Sequence, residues 1–373
     1  MADAATESSW CEISVPKIAG NLLSTLKRMP DNTQLCAVVK SDAYGHGIEN
    51  VVPLLMEQNI GCIGISSNAE ARAVRSAGFA GRLLRLRTAT PQEVKSAIGD
   101  RIEEMFGAPA AVRSLIETLG QEALPKLHIS LNAGGMSRDG LELSTARGRA
   151  GFFEMLELVP DQIVGLCTHF PSNEPVELAE SIQRFHDDQA WIFTNCDLRR
   201  QDVLVHAGST LTLHSGQDPK ADMMRCGAIL YGIAGPRPDF QSALALKSRV
   251  VSIGEYPKGS TIGYDRSCCL SEDKVLASIA LGYANGYSRR FSDGGEVLIR
   301  GQRLPVMGKI SMNTIVADVT SLPAIDVGDE VVAFGQQGSQ VISSVAIEDL
   351  TGTIMADLYA DWGQRNARVV IQP

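Results

Sequence analysis

Four polar residues stand at the carboxyl-side ends of short apolar runs, and their types could do chemistry together. Lys40 closes Leu35-Cys-Ala-Val-Val, and Asn132 follows Lys126-Leu-His-Ile-Ser-Leu131. His169 closes Ile163-Val-Gly-Leu-Cys-Thr, and Ser209 follows Val203-Leu-Val-His206. A lysine closing an apolar run is expensive to bury charged, so it either snorkels to solvent or carries a depressed pKa. An uncharged amine can attack an aldehyde, which brings Schiff-base chemistry within reach of Lys40. Taken singly, Lys40 reads as an ordinary strand-end lysine and His169 as a satisfied core histidine. The eight cysteines (Cys11, Cys36, Cys62, Cys167, Cys196, Cys226, Cys268 and Cys269) show no CxxC or Cys/His ligand spacing, which argues against a zinc site. Most of them sit inside apolar runs, as buried thiols do.

The elements that must position these residues follow from the same runs. Apolar, β-rich segments recur at 35–40, 62–66, 82–86, 102–106, 126–131, 163–169, 203–206 and 228–232. Between them lie stretches with apolar residues three to four apart, such as 68–77 and 176–193, which predict amphipathic helices. Eight strands alternating with helices is the count of a (β/α)8 TIM-type barrel, whose active sites form at the carboxyl ends of the strands. The doubly wound alternative needs a glycine fingerprint after its first strand, and Lys40-Ser-Asp-Ala-Tyr-Gly-His-Gly47 is not one. After Gly235-Pro-Arg-Pro238 the helical patterns fade. Runs at 248–253, 275–281, 296–299, 314–319 and 330–334, separated by Gly, Pro and Asp turns, predict a mainly-β domain. The expected division is an α/β barrel over residues 12–238 and a β domain over 239–373, with residues 1–11 a candidate strand of the latter.

The chain has 373 residues, 44% of them hydrophobic and 21% charged, so core size is not limiting. A formal net charge of −9 excludes a general nucleic-acid or anionic-membrane binder, either of which needs a broad basic face. No apolar run approaches a membrane span, and the polar, acidic start is not a secretory leader. The expectation is a cytoplasmic protein, or an exported one whose leader has been removed.

The run Ala37-Val-Val-Lys-Ser-Asp-Ala-Tyr-Gly-His-Gly47 closely resembles the cofactor-lysine motif of alanine racemases, and recognisable segments extend through both predicted domains. The resemblance implies pyridoxal 5'-phosphate, a barrel followed by a β domain, and a head-to-tail homodimer with shared active sites acting on a small amino-acid substrate. It makes Lys40 the Schiff-base residue and the acid/base group on one face of the α-carbon. Thr261-Ile-Gly-Tyr-Asp-Arg266 matches the segment of the opposite-face acid/base group, Tyr264. Gly165-Leu-Cys-Thr-His-Phe170 and Met224-Arg-Cys-Gly-Ala-Ile-Leu-Tyr-Gly232 match the segments of a histidine and arginine relay, nominating His169 and Arg225. Arg225 is further implied to donate to the cofactor's ring nitrogen. An arginine keeps its protons, so it leaves that nitrogen unprotonated and favours reprotonation over transamination.

Phosphate contacts are implied for Tyr44, Ser209, the backbone at Gly227 and Ala228, and Tyr359. His206-Ala-Gly-Ser-Thr210 is one residue shorter than the family's usual segment at Ser209. Arg138, in Gly134-Gly-Met-Ser-Arg-Asp-Gly140, is implied to bind the substrate carboxylate with its guanidinium fork. Tyr283 and Met312 are implied to line the entrance from the partner subunit, Tyr283 being preferred to Tyr287 by its spacing from Tyr264.

Two departures bear on the substrate. Alanine-selective members carry a lysine, often carbamylated, before the carboxylate arginine; here the segment is Ser130-Leu-Asn-Ala-Gly-Gly-Met136, so either Asn132 or a bound anion orients Arg138. The usual Met-Asp reads Met312-Asn313. Both resemble broad-specificity amino-acid racemases, which accept longer side chains, so the expected enzyme takes alanine or a broader range. Two alternatives share the cofactor: a basic amino-acid decarboxylase, which calls for an acidic partner to the ring nitrogen and a cysteine loop such as Cys268-Cys269, and a non-catalytic carrier, which typically lacks the β domain.

Overall fold

The computed structural model describes residues 3–233, 235, 237–292 and 294–372. The chain forms two compact units, one made of residues 22–43 and 51–230, the other of the chain up to Asn21, residues 44–50 and everything from Tyr231 onward. The first strand, β1 (Ser9–Ser14), belongs to the second unit.

The first unit is a closed barrel of eight parallel strands paired in sequence order. These are β2 (Gln34–Val38), β3 (Cys62–Ile65), β4 (Arg82–Arg85), β5 (Ile102–Phe106), β6 (Leu127–Ser130), β7 (Ile163–Cys167), β8 (Leu204–His206) and β9 (Met223–Cys226). Strands of a parallel barrel are covered on both faces, which is why they read as continuous apolar runs and not as alternating ones. The ring closes where Gln34 to Ala37 pair with Met223 to Cys226. Here the structure corrects the sequence reading. The eighth strand is Met223–Cys226, whereas the apolar run expected at 228–232 is a 3-10 turn over Ala228–Tyr231. Arg225 interrupts the hydrophobic pattern of the true strand, while Ile229 and Leu230 are apolar because they are fully buried.

The expected helices form over Asn68–Ser76 and Pro175–Asn195. The first begins with a capping box in which Ser67 and Glu70 exchange side-chain and backbone hydrogen bonds.

The second unit is built on a nine-stranded sheet. Its strand β10 (Leu244–Tyr256) runs antiparallel to β1, which in turn pairs in parallel with Ala367–Ile371, so the amino- and carboxyl-terminal strands lie side by side. Expected β runs appear as Lys274–Ile279, Glu296–Ile299, Ile315–Asp318 and Glu330–Gln337. The unit is mainly β, not all β: helices Ser344–Thr351 and Met355–Arg365 belong to it. No helix among the described residues is long and apolar enough to cross a membrane.

Candidate active site

In the barrel unit the chain leaves β2 through an unusual turn. Ser41, Asp42, Ala43 and Tyr44, directly after Lys40, have φ of 53°, 53°, 55° and 54°. Each non-glycine residue in that left-handed region costs roughly 1–2 kcal/mol, so the turn persists only where its surroundings dictate it. Glu70 supplies part of that dictation. Its buried carboxylate accepts from the amides of Ser41 at 2.7 Å, Ser66 at 2.6 Å and Ser67 at 3.1 Å. One acidic side chain thus ties the loops after β2 and β3 together.

Lys40 is open to solvent along one side, as a group that meets a substrate must be, yet the rest of it is packed in protein. That burial, reinforced by the Arg138 and Arg225 guanidiniums and opposed by Glu70, lowers its pKa. Of the two alternatives the sequence left open, each holds in part: the side chain reaches solvent and its pKa is lowered.

Arg225, on β9, is buried and held on several acceptors. Nη1 donates to His206 Nδ1 at 2.9 Å and to the His206 carbonyl at 3.1 Å, and Nη2 donates to the Thr168 carbonyl at 2.8 Å. His169 Nδ1 lies 3.5 Å from Nη2. Burial, then Arg225, Arg138 and Lys40, push the His169 pKa down to about 3, so its imidazole is neutral. Lys40, His169, Arg138 and Arg225 influence one another electrostatically, and the group is suited to receive anions.

Arg138 sits on a loop bent through Gly134, Gly135, Ser137 and Gly140, all with positive φ. Asn132 holds that loop: its Oδ1 accepts the Ser137 amide at 2.7 Å, and its Nδ2 donates to Glu142 at 2.9 Å. The amide is thus committed on both sides to the loop that presents the exposed Arg138. Ser209 immediately precedes the short helix Thr210–Ser215. Gly227 and Ala228 form the turn after β9, where the Ile229 amide donates to Thr210 Oγ1 at 3.3 Å. A cavity of 820 Å³ lies elsewhere, at the amino-terminal ends of the barrel strands, lined by Arg75, Arg82, Glu103 and Lys126 among others.

In the β unit, Tyr44, Tyr231, His46 and Tyr359 form, in that order, a run of ring contacts at 5.0, 4.6 and 5.4 Å. Gly45 is required there, since a Cβ would overlap the Tyr359 carbonyl. The Tyr359 hydroxyl is fully buried and has no hydrogen bond of ordinary geometry among the described residues; burial raises its pKa, with only the Ser242 side chain pulling the other way.

Tyr264 is exposed, and the Arg289 guanidinium lies 5.9 Å from its ring centre and 5.5 Å from that of Tyr283. Tyr283 is held by its amide on the Ser311 carbonyl at 3.1 Å, and the next amide, of Ala284, donates to Met312 at 2.9 Å. A Cβ at Gly282 would overlap both carbonyls, so only glycine lets this strap close. Met312 is exposed beside it, whereas Tyr287 is buried and stacked on Phe291 at 4.2 Å. Cys268 and Cys269 lie on a short strand paired with Thr261–Ile262, Cys269 being exposed.

Two residues of these clusters escaped sequence reasoning. Glu70 carried a readable sign, the Ser-x-x-Glu of its capping box, but that sign points to a helix start and not to Lys40. Arg289 carried none, because its neighbours at 264 and 283 are brought to it by folding.

Residues 13–235 match the family model for the alanine racemase N-terminal domain, and residues 243–370 that for the alanine racemase C-terminal domain. The chain is 39% identical over 370 residues to a lysine racemase of Proteus mirabilis, covering 99% of this chain and 91% of that protein. It is 38% identical over 367 residues to a broad specificity amino-acid racemase of Aeromonas hydrophila, covering 97% and 90%. The crystal structure of alanine racemase from Bacillus anthracis with bound L-Ala-P superposes with a TM-score of 0.88 at 25% identity, covering 98% and 95% of the two chains.

Proposed function

From the premise that this chain belongs to the alanine racemase family, we propose that it is a pyridoxal-phosphate-dependent amino-acid racemase moving the α-proton between Lys40 and Tyr264. The observation that carries this reading is the Lys40 amine: reachable from solvent, lowered in pKa by burial, and beside two guanidiniums that cannot surrender protons. The residues fit the cofactor. A lysine whose pKa is lowered by burial suits its aldehyde, a buried phenol without an ordinary partner at Tyr359 suits its phosphate, and Arg225 suits an unprotonated ring nitrogen. Lys40, Tyr44, His169, Ser209, Arg225, Tyr359 and the amides at Gly227 and Ala228 would hold it. When bound, it supplies an electron sink for the substrate α-carbon.

Within that site the chain's own residues divide the work. Arg138 binds the substrate carboxylate, with Asn132 fixing the loop that carries it. Lys40 Nζ and the Tyr264 hydroxyl hold and return the α-proton on opposite faces. The neutral His169 beside Arg225 is an acceptor, not a competing cation. Arg289 places its guanidinium over the Tyr264 ring, 5.9 Å from the ring centre. Tyr283 and Met312 line the entrance, and a homodimer brings Tyr264, Tyr283 and Met312 to the site from the partner subunit.

The substrate range is broad and extends beyond alanine to longer amino acids such as lysine, arginine and methionine. The Asn132 brace, in the place of a modified lysine, supports this, as do the names of the similar racemases. The test has three parts. Borohydride reduction of the yellow protein places the label on Lys40, an L-amino-acid panel gives D-products without carbon dioxide, and light scattering gives twice the chain mass. Turnover of alanine alone would remove the broad reading, and carbon dioxide release would point to a decarboxylase.

A further inference from the structure

A row of buried polar side chains crosses the inside of the barrel. Arg225 Nη1 meets His206 Nδ1 at 2.9 Å, His206 Nε2 meets His128 Nδ1 at 3.0 Å, and His128 Nε2 meets Glu103 Oε2 at 2.9 Å. The four residues come from β9, β8, β6 and β5, and both imidazoles are fully buried. The intervening strand β7 contributes Gly165, where any Cβ would overlap His128 Nδ1. The strand gives up a side chain at the one place the histidine row needs the space.

The two ends fix every proton between them. A guanidinium only donates, so His206 Nδ1 is bare and its proton is on Nε2. That proton points at His128 Nδ1, so His128 also carries its proton on Nε2 and donates it to Glu103. Burial pushes Glu103 toward neutrality, but His128, Arg82 and Lys126 outweigh it and hold its carboxyl below the usual range. Arg82 Nε lies 2.9 Å away and Lys126 Nζ 3.8 Å, both on the side of the 820 Å³ cavity. Burial likewise holds both histidines below their usual pKa, so neither adds charge to the row.

We infer that Glu103 is a positioning residue for Arg225, acting from the far end of the barrel through the tautomers of His128 and His206. Without an acceptor at Glu103, His128 is free to move its proton to Nδ1 and His206 then turns a proton toward the guanidinium, setting two donors against each other. Outer carboxylates behind metal-bound histidines act in the same way, and their loss typically costs 10–100-fold. The consequence for turnover rests on the reading of Arg225 as the residue facing the cofactor ring; the proton order of the row does not.

The experiment uses holoenzyme labelled with 15N-histidine. In the unaltered protein, His128 and His206 are expected as neutral Nε2–H tautomers from pH 6 to 8. Glu103→Leu and Gly165→Ala are expected to change the His206 nitrogen shifts and lower kcat about tenfold with KM within twofold. Glu103→Gln, which keeps an accepting oxygen, is expected to recover both, and it decides the matter if the other variants fail to fold. A His206 tautomer unmoved in Glu103→Leu, or a charged His128 in the unaltered protein, overturns the inference. A changed tautomer at unchanged kcat supports the relay and overturns the placement of Arg225 at the cofactor.

Discussion

The Glu70 carboxylate accepts the Ser41 amide at 2.7 Å, one residue after Lys40, the proposed Schiff-base lysine. A carboxylate belonging to a helix start on a neighbouring barrel segment thereby fixes a left-handed turn that the local sequence would not choose. It also raises the Lys40 pKa against the larger effect of burial.

Glu70→Ala is expected to destabilise the protein by about 2–3 kcal/mol, because buried amides that donated to a charged acceptor lose it. Glu70→Gln keeps one accepting oxygen and is expected to lose about half as much. Urea unfolding checks both, and a midpoint in Glu70→Ala equal to that of the parent would show that the turn is held by other contacts.

Tyr264→Phe removes the proposed proton carrier from one face. Enantiomers are equal in energy, so kcat/KM must fall equally in both directions, by an expected factor of at least 100. Exchange of the α-proton with solvent deuterium is expected to survive for one enantiomer only, through Lys40. Proton NMR of each enantiomer in deuterium oxide reads this directly, and equal residual exchange for both would remove Tyr264 from the role.

Arg138→Lys replaces a fork by a point charge. Losing one charge-assisted hydrogen bond of about 1.5 kcal/mol corresponds to roughly a tenfold rise in KM. Asn132→Ala frees the Ser137 amide and is expected to raise KM across all amino acids alike, since it loosens the arginine without touching a side-chain pocket. Initial rates over a panel separate this from a substrate-specific effect, which would place Asn132 in contact with the substrate side chain.

His169, His128 and His206 all have lowered pKa values, His169 at about 3. An unfolded imidazole titrates near 6.5. Above that pH neither state is protonated and the residues leave stability unchanged. Below it the unfolded chain takes up protons that the folded chain refuses, so stability falls as pH falls, for His169 until about pH 3. For His169 the loss between pH 6.5 and 5 reaches about 2 kcal/mol. The urea midpoint is therefore expected to drop between pH 7 and 5, and His169→Asn to shallow that drop. An equally steep fall in the variant would show that His169 titrates normally.

Much of the barrel was legible because covered parallel strands need continuous apolar runs, and runs near 35, 62, 82, 102, 126, 163 and 203 are of that kind. The eighth strand was misplaced for the same reason in reverse. Arg225 stands inside it, paired to His206 on β8 and to Thr168 just after β7, partners that a linear pattern cannot display. Lys40 was legible as a lysine ending an apolar run, which left open whether it snorkels or carries a lowered pKa; the lowering comes from burial and from Arg138 and Arg225, which folding brings near. Sequence by itself determined which residue types stand at the strand ends and where most of the covered apolar runs lie. Only tertiary structure decided how their protons are arranged. The left-handed turn at Ser41 is tied to Glu70, the arginine loop to Asn132, and the inferred tautomer of His206 to Glu103, three strands away. Each rests on side-chain hydrogen bonds that a linear pattern does not display, and the partners are set against each other only by the folded chain.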